Sequence, residues 1–249
     1  MHARKVVFKN SRGQNLVGDF CEGDEPVGVI ACHGMLSSRN GTKIQYLSSL
    51  LTEFGIPNLR FDFCGRGESD GMVEELSYSN QVEDLQGAIE FMVTQGMQRI
   101  ALFGSSMGGS VALLAASRDE RVVAISTIAA VAYPELLEDR YPRATHEWRK
   151  NGYLELEGAT IGLNFLEDAK IHNVVSAVAV IQAPLMVIHG IQDATVPVCD
   201  AHDIASAANN VFLNIVDGAD HRFSNTLHMR PAMKEVAEFL ARELRGVEL

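Results

Sequence analysis

The stretch Ile100-Ala-Leu-Phe-Gly-Ser-Ser-Met-Gly-Gly-Ser-Val-Ala-Leu-Leu-Ala-Ala116 decides how the rest of the chain is read. An apolar run ends in Gly104-Ser105-Ser106-Met107-Gly108, and a run of small and aliphatic residues follows at once. A strand before and a helix after turn a G-x-S-x-G string into a nucleophile elbow. The turn is so sharp that its central residue, Ser106, must adopt a strained backbone conformation that lifts its hydroxyl clear of the sheet. Side chains two positions to either side would collide with neighbouring backbone, so Gly104 and Gly108 meet a steric need. The N–H of Met107 opens the helix and is left free to bind an anion. Ser105 is adjacent but does not occupy the apex.

Working outward, residues 6–8 and 16–20 flank a turn-rich linker and read as an antiparallel hairpin. Residues 27–32 form an apolar run suited to a strand buried on both faces, and it ends in His33-Gly34-Met35. A helical face over 44–53, a strand over 56–61, a helix over 79–94, the elbow strand over 99–103 and a strand over 122–128 follow. Strands at 184–189 and 211–216, a helix over 197–208 and a closing amphipathic helix with Pro231 near its start complete the chain. This alternation implies parallel strands joined by right-handed crossovers. The rhythm breaks between about 130 and 177, a segment holding the only tryptophan and three of the five tyrosines. It reads as a cap inserted in a single domain spanning 1–249, laid over the carboxyl ends of the strands.

Composition bounds the function. The chain has 249 residues, 47% hydrophobic and 21% charged, and a net charge of -11. Such acidity argues against nucleic acid or an anionic membrane as partner. The N-terminus lacks the apolar run of a signal peptide, and no stretch is long enough to span a bilayer. Cys21, Cys32, Cys64 and Cys199 are scattered without paired spacing, so a reduced, cytoplasmic setting is expected. There is no H-E-x-x-H and no convergent His/Cys/Asp spacing, so neither metal nor cofactor is expected. Gly65 and Gly67 lack the spacing of a phosphate loop.

Ser106, Asp193 and His221 each fall just after an expected strand, and strand ends are where an open parallel sheet places function. Their chain order is the one that accompanies this elbow. His221 Nε2 would take the proton of Ser106, while Asp193 would hold the ring through Nδ1. The backbone N–H groups of Met35 and Met107 would form the oxyanion hole. Asp217 and Asp220 compete for the acid's role; Asp220 adjoins His221 too closely to bridge back to it, and Asp217 is a possible substitute. His33 is expected to order the oxyanion loop and His189 to pack. His2, His172, His202 and His228 read as surface residues.

With those residues on the page, the chain resembles the α/β-hydrolase fold. Within it, the resemblance is to serine hydrolases that include cinnamoyl (feruloyl) esterases and monoacylglycerol-lipase-like hydrolases of the serine aminopeptidase type. It covers nearly the whole chain. The motifs are His33-Gly34, Arg60-Phe-Asp-Phe-x-Gly-x-Gly-x-Ser-Asp-Gly71, Gly104-x-Ser-x-Gly108, His189-Gly-x-x-Asp193-x-x-Val-Pro197 and Gly218-Ala-Asp-His221-x-Phe-Ser224. The resemblance implies an eight-stranded, mostly parallel sheet flanked by helices, with a cap between the sixth and seventh strands. Its nucleophile, acid and base carry over onto Ser106, Asp193 and His221. Many relatives have Asp-x-Arg-Gly-x-Gly where this chain has Asp62-Phe-Cys64-Gly65-Arg66-Gly67, so the arginine has moved from third to fifth position. That segment shapes the loop below the oxyanion hole in relatives.

The expected activity is hydrolysis of small to medium acyl or aryl carboxylic esters, such as hydroxycinnamoyl esters, through an acyl-enzyme. The acyl or aryl group is expected against Tyr133, Trp148 or Phe165 of the cap. Asp139, His146 and Tyr153 are candidates for holding a phenolic hydroxyl. A thioesterase or peptidase using the same triad, and a non-catalytic ligand-binding protein, are the rival readings. The expected partner is a small-molecule ester, and an exposed strand edge or cap face could support a homodimer.

Overall fold

The first strands show how the sequence builds the sheet. In the computed structural model, which describes residues 3–23 and 25–246, β1 (Arg4–Lys9) and β2 (Asn15–Cys21) pair antiparallel from Arg4↔Phe20 to Lys9↔Asn15. β3 (Val27–Cys32) is buried along its whole length, as an unbroken apolar run requires. β4 (Asn58–Phe61) starts later than the sequence suggests, because the N–H of Ile56 closes helix α1 (Thr42–Glu53) by donating to Leu51 and Pro57 has no N–H for a ladder. β5 (Arg99–Ser105) runs two residues past the expected end at 103, up to the residue before Ser106. β6 (Val122–Ile128), β7 (Tyr153–Leu156), β8 (Ala159–Gly162), β9 (Leu185–Gly190) and β10 (Val211–Val216) follow.

Eight strands form one sheet in the order β1-β2-β4-β3-β5-β6-β9-β10. β1, β2 and β4 pair antiparallel, and every pair from β4 to β10 is parallel. This is the mostly parallel sheet that the α/β-hydrolase resemblance implies. From β3 the chain crosses to β4 on one side, then returns to β5 on the other. The carboxyl ends of β3 and β5 therefore flank the switch point, where such sheets hold their ligands.

Alternate residues of the central strands face two helical layers. Val29, Ala101 and Phe103 pack with α1 and with α9 (Thr226–Arg245) through Leu47, Leu51, Val236 and Phe239. Ile30, Leu102 and Val187 pack on the other face against α2 (Tyr78–Thr94) and α3 (Met107–Ala116). The α9 helix begins at Thr226, well before Pro231, because Asn225 caps it by accepting from the Leu227 N–H at 2.9 Å. Among the described residues no helix is long and apolar enough to cross a membrane.

Between β6 and β9 the chain leaves the sheet. A 3₁₀ turn at Pro134–Leu136, α4 (Leu137–Arg140), α5 (Pro142–Asn151), the β7–β8 hairpin, α6 (Asn164–Ala169) and α7 (Val174–Val180) occupy this excursion. Its interior is built on Trp148, which stacks on Phe165 at 5.6 Å and donates from Nε1 to the Ile161 carbonyl at 2.8 Å. It spans the carboxyl edge of the sheet. Asp168 accepts the Ser79 N–H at 3.0 Å, and the Tyr141 hydroxyl donates to the Thr195 carbonyl at 2.5 Å. Arg222, next to His221, pairs with Glu157 at the tip of the hairpin. α8 (Val198–Ala207) then packs against α7 before β10.

Candidate active site

The end of β5 presents Ser106 at φ 54, ψ -126, a left-handed conformation that costs a non-glycine residue of order 1–3 kcal/mol. Its N–H donates to Ile128 at 2.9 Å, and its carbonyl accepts from Gly109 at 2.8 Å. The turn closes so tightly that a Cβ at Gly104 would stand 2.3 Å from the Gly108 carbonyl oxygen. One at Gly108 would stand 2.3 Å from that of His33. The apex is therefore clamped between β3 and α3 with Oγ facing out.

His221 lies in the loop after β10 and Asp193 in the loop after β9. Asp193 Oδ2 is 2.7 Å from His221 Nδ1, and His221 Nε2 is 3.0 Å from Ser106 Oγ. The carboxylate accepts only, so Nδ1 carries the proton and Nε2 is free to accept from the Ser106 hydroxyl. Asp193 Oδ1 also accepts the N–H groups of Thr195 and Val196 at 2.8 and 2.7 Å. Burial alone would raise the Asp193 carboxyl; hydrogen bonds from His189, His221 and Val196 outweigh it and hold the group well below the usual carboxylate range. Asp217 is exposed at 3.4 Å from Gln192, and Asp220 caps its own loop by accepting the Ser224 N–H at 2.8 Å. Neither rival carboxylate reaches His221.

The loop after β3 lies against the nucleophile: a Cβ on Gly34 would come within 3.4 Å of Ser106 Cβ. Among the described residues, the Met35 N–H, in the turn after β3, has no backbone acceptor, and the Met107 N–H has none outside its own helix. His33 Nδ1 donates to the Gly34 carbonyl at 2.8 Å, and Nε2 accepts the Phe63 N–H at 3.1 Å. Burial lowers His33 to about 4, so the ring is a neutral brace. Arg66, the arginine displaced in sequence, donates to the carbonyls of Leu36 and Ser37 at 2.6 and 3.1 Å. Below it Asp62 is fully buried; it accepts the Arg39 N–H at 2.7 Å and pairs with the Arg39 guanidinium. Cys64 donates its N–H to buried Asp84 at 2.8 Å.

Trp148 and Phe165 are 4% and 3% exposed, so each offers at most an edge to a ligand. The Tyr133 hydroxyl donates to Asp203 at 3.0 Å. Asp139, His146 and Tyr153 lie exposed on the excursion. His172, expected at the surface, is 6% exposed, because Ser79 at 3.0 Å and the Tyr78 ring enclose it; His2 lies outside the described residues. Sequence reasoning passed over Lys43, whose ammonium donates to the Arg222 carbonyl at 3.0 Å and is lowered by burial to about 8. Nothing in the pattern of α1 marks it, since its partner is a backbone oxygen far along the chain.

A family model described as serine aminopeptidase, S33 matches residues 25–154. The human mitochondrial palmitoyl-protein thioesterase ABHD10 is 28% identical over 224 residues, covering 84% of this chain and 71% of that protein. Two solved structures share the fold. Est1E from Butyrivibrio proteoclasticus with ferulic acid bound superposes with a TM-score of 0.86 at 20% identity, over 96% of this chain and 100% of its own. Mouse alpha/beta hydrolase domain-containing protein 10 gives 0.82 at 23%, over 96% and 99%.

Proposed function

The chain belongs to the serine aminopeptidase family of α/β-hydrolases, and from that membership we propose that it is a serine hydrolase of carboxylic esters acting through an acyl-enzyme. The observation that carries the reading is the unbroken relay from Ser106 Oγ through His221 to Asp193, at 3.0 and 2.7 Å. His221 accepts the Ser106 proton as Oγ attacks the acyl carbon, and Asp193 stabilises the imidazolium that forms. Met35 and Met107 N–H stabilise the oxyanion, each such donor contributing about 10²–10³ in rate. His221 then protonates the leaving alcohol, and water attacks the acyl-enzyme with His221 again as base. The excursion between β6 and β9 acts as the cap and sets the acyl or aryl preference. The four free cysteines fit a reducing compartment.

A thioester substrate is the second reading, favoured by the thioesterase named among the relatives. A departing thiol needs little help from His221, because its pKa is about 8.5. The same residues therefore serve either substrate, and the alcohol or thiol must be found by assay.

Initial rates on p-nitrophenyl esters of acetate, butyrate and octanoate, methyl ferulate, a monoacylglycerol and a palmitoyl thioester test both readings. Ser106→Ala is expected to abolish turnover and leave thermal stability near wild type. Similar rates in the variant would remove Ser106 as nucleophile.

A further inference from the structure

The strand that delivers Asp193 also delivers a second histidine to it. His189, read from the sequence as a packing residue, is fully buried at the end of β9. Its Nε2 lies 3.1 Å from Asp193 Oδ2 and 2.9 Å from the Val196 carbonyl oxygen. Both are pure acceptors, so Nε2 bears the proton and donates to them. Among the described residues Nδ1 is then left buried without a partner, so its desolvation is uncompensated. A leucine would fill much the same space with no such cost.

We propose that His189 is a positioning residue for the catalytic acid: its Nε2–H fixes Asp193 Oδ2 in line with His221 and draws charge from that oxygen. The proposal rests on reading Ser106, His221 and Asp193 as a triad. With His189 counted, Asp193 has four donors, two on each oxygen. About four acceptor positions exist on a carboxylate, so none is left to let the group rotate. Oδ2 is also the atom that holds His221. A second donor there weakens its pull on the His221 proton and favours the neutral ring that accepts from Ser106.

Other charged and titratable groups face this acid. Lys43 from α1 and Tyr141 from the excursion act on Asp193 through space, and Asp220 and Arg222 act on Lys43. Neither Lys43 nor Tyr141 bonds to the carboxylate; they donate to the Arg222 and Thr195 carbonyls. Substitution at His189 leaves them in place.

The test compares wild type with His189→Gln, whose side-chain nitrogen takes the place of Nε2, and His189→Phe, which keeps an aromatic ring there and loses the donor. Imidazole ¹⁵N spectra of the wild type are expected to show His189 as the Nε2–H tautomer. In the Phe variant the acid limb of the pH profile should move up by about one unit, a tenfold loss below the limb. It would be read from fluorophosphonate labelling of Ser106 and from p-nitrophenyl acetate hydrolysis, with the Gln variant tracking wild type. An Nδ1–H tautomer, a Phe profile coincident with wild type, or a Gln profile displaced as far as Phe overturns the proposal. The tautomer decides even if the Phe variant fails to fold. A wild type that neither labels nor turns over would instead defeat the triad reading.

Discussion

Replacing Arg66 by methionine keeps its aliphatic stem and removes two hydrogen bonds to the loop that carries the proposed oxyanion donor Met35. The bond to Leu36, at 2.6 Å, is part-buried, and the bond to Ser37, at 3.1 Å, is exposed. A bond to a charged group contributes about 1.5–3 kcal/mol when sheltered and far less when exposed, so the pair amounts to about 2 kcal/mol. That free energy is lost only once. If the loop keeps its place without Arg66, the loss appears as stability, about 4–8 °C in Tm for a domain of this size. If the loop relaxes, stability is largely kept and the Met35 N–H leaves the line of the oxyanion; 2 kcal/mol is then about thirtyfold in rate. Among the described residues no other donor reaches the Leu36 or Ser37 carbonyl, and the nearest remaining bonds, from Ser37 N–H and His33 Nδ1, both end on the Gly34 carbonyl at 3.0 and 2.8 Å, so relaxation is the expected course. Arg66→Met should lower kcat/KM on p-nitrophenyl acetate by about tenfold to thirtyfold while Tm moves by less than about 3 °C. Arg66→Lys, able to reach one carbonyl, should fall between. A variant with wild-type kcat/KM would refute the argument, whatever its Tm.

Two further predictions concern the same corner of the sheet. Gly108→Ala drives a Cβ to 2.3 Å from the His33 carbonyl oxygen, so backbone must shift and stability should fall by about 3 kcal/mol; Gly34→Ala, at 3.3 Å from its nearest neighbour, should be milder. Urea unfolding of both separates them, and equal losses would contradict the clamp. His33 is lowered by burial from 6.5 to about 4. Between those values the unfolded chain binds the proton and the folded one does not, so stability rises with pH and drains away on acidification through that window, by up to about 3 kcal/mol. His33→Gln should flatten the slope between pH 6.5 and about 4, measured by urea unfolding; an unchanged slope would exclude His33 as its source.

The parts of this molecule legible in its sequence are those written in the residues of a single segment. Residues 100–105 are apolar enough to be a buried strand, and Gly104 and Gly108 announce the sharp turn between them. The carboxyl ends of parallel strands share one edge, so a serine, an aspartate and a histidine just after three such strands had to lie near one another. The β7–β8 hairpin leaves little mark in the sequence because each strand is only four residues long and β7 is largely exposed. Its turn, Glu157-Gly158, has both residues at positive φ, 50 and 79°, without the usual Asn-Gly. His172 was read as a surface residue because the groups that enclose it, Tyr78 and Ser79, lie on α2, far away in the chain.

A common reason unites the remaining misses. Arg66 acts on the carbonyls of Leu36 and Ser37, Lys43 on that of Arg222, and Tyr141 on that of Thr195. Each donor fastens a loop that carries a residue of the site, and each acceptor is a group every residue possesses. The acceptor position leaves no mark in the sequence, and the donor looks like any surface Arg, Lys or Tyr. Such fastening is asymmetric under mutation. Exchanging the side chain of an acceptor residue preserves its carbonyl, whereas exchanging the donor releases the loop. Two donors fasten the loops bearing His221 and Asp193, and Arg66 fastens the loop of Met35. The geometry of the relay therefore depends on residues outside the five motifs by which the chain resembles its family, or, for Arg66, at a variable place within one.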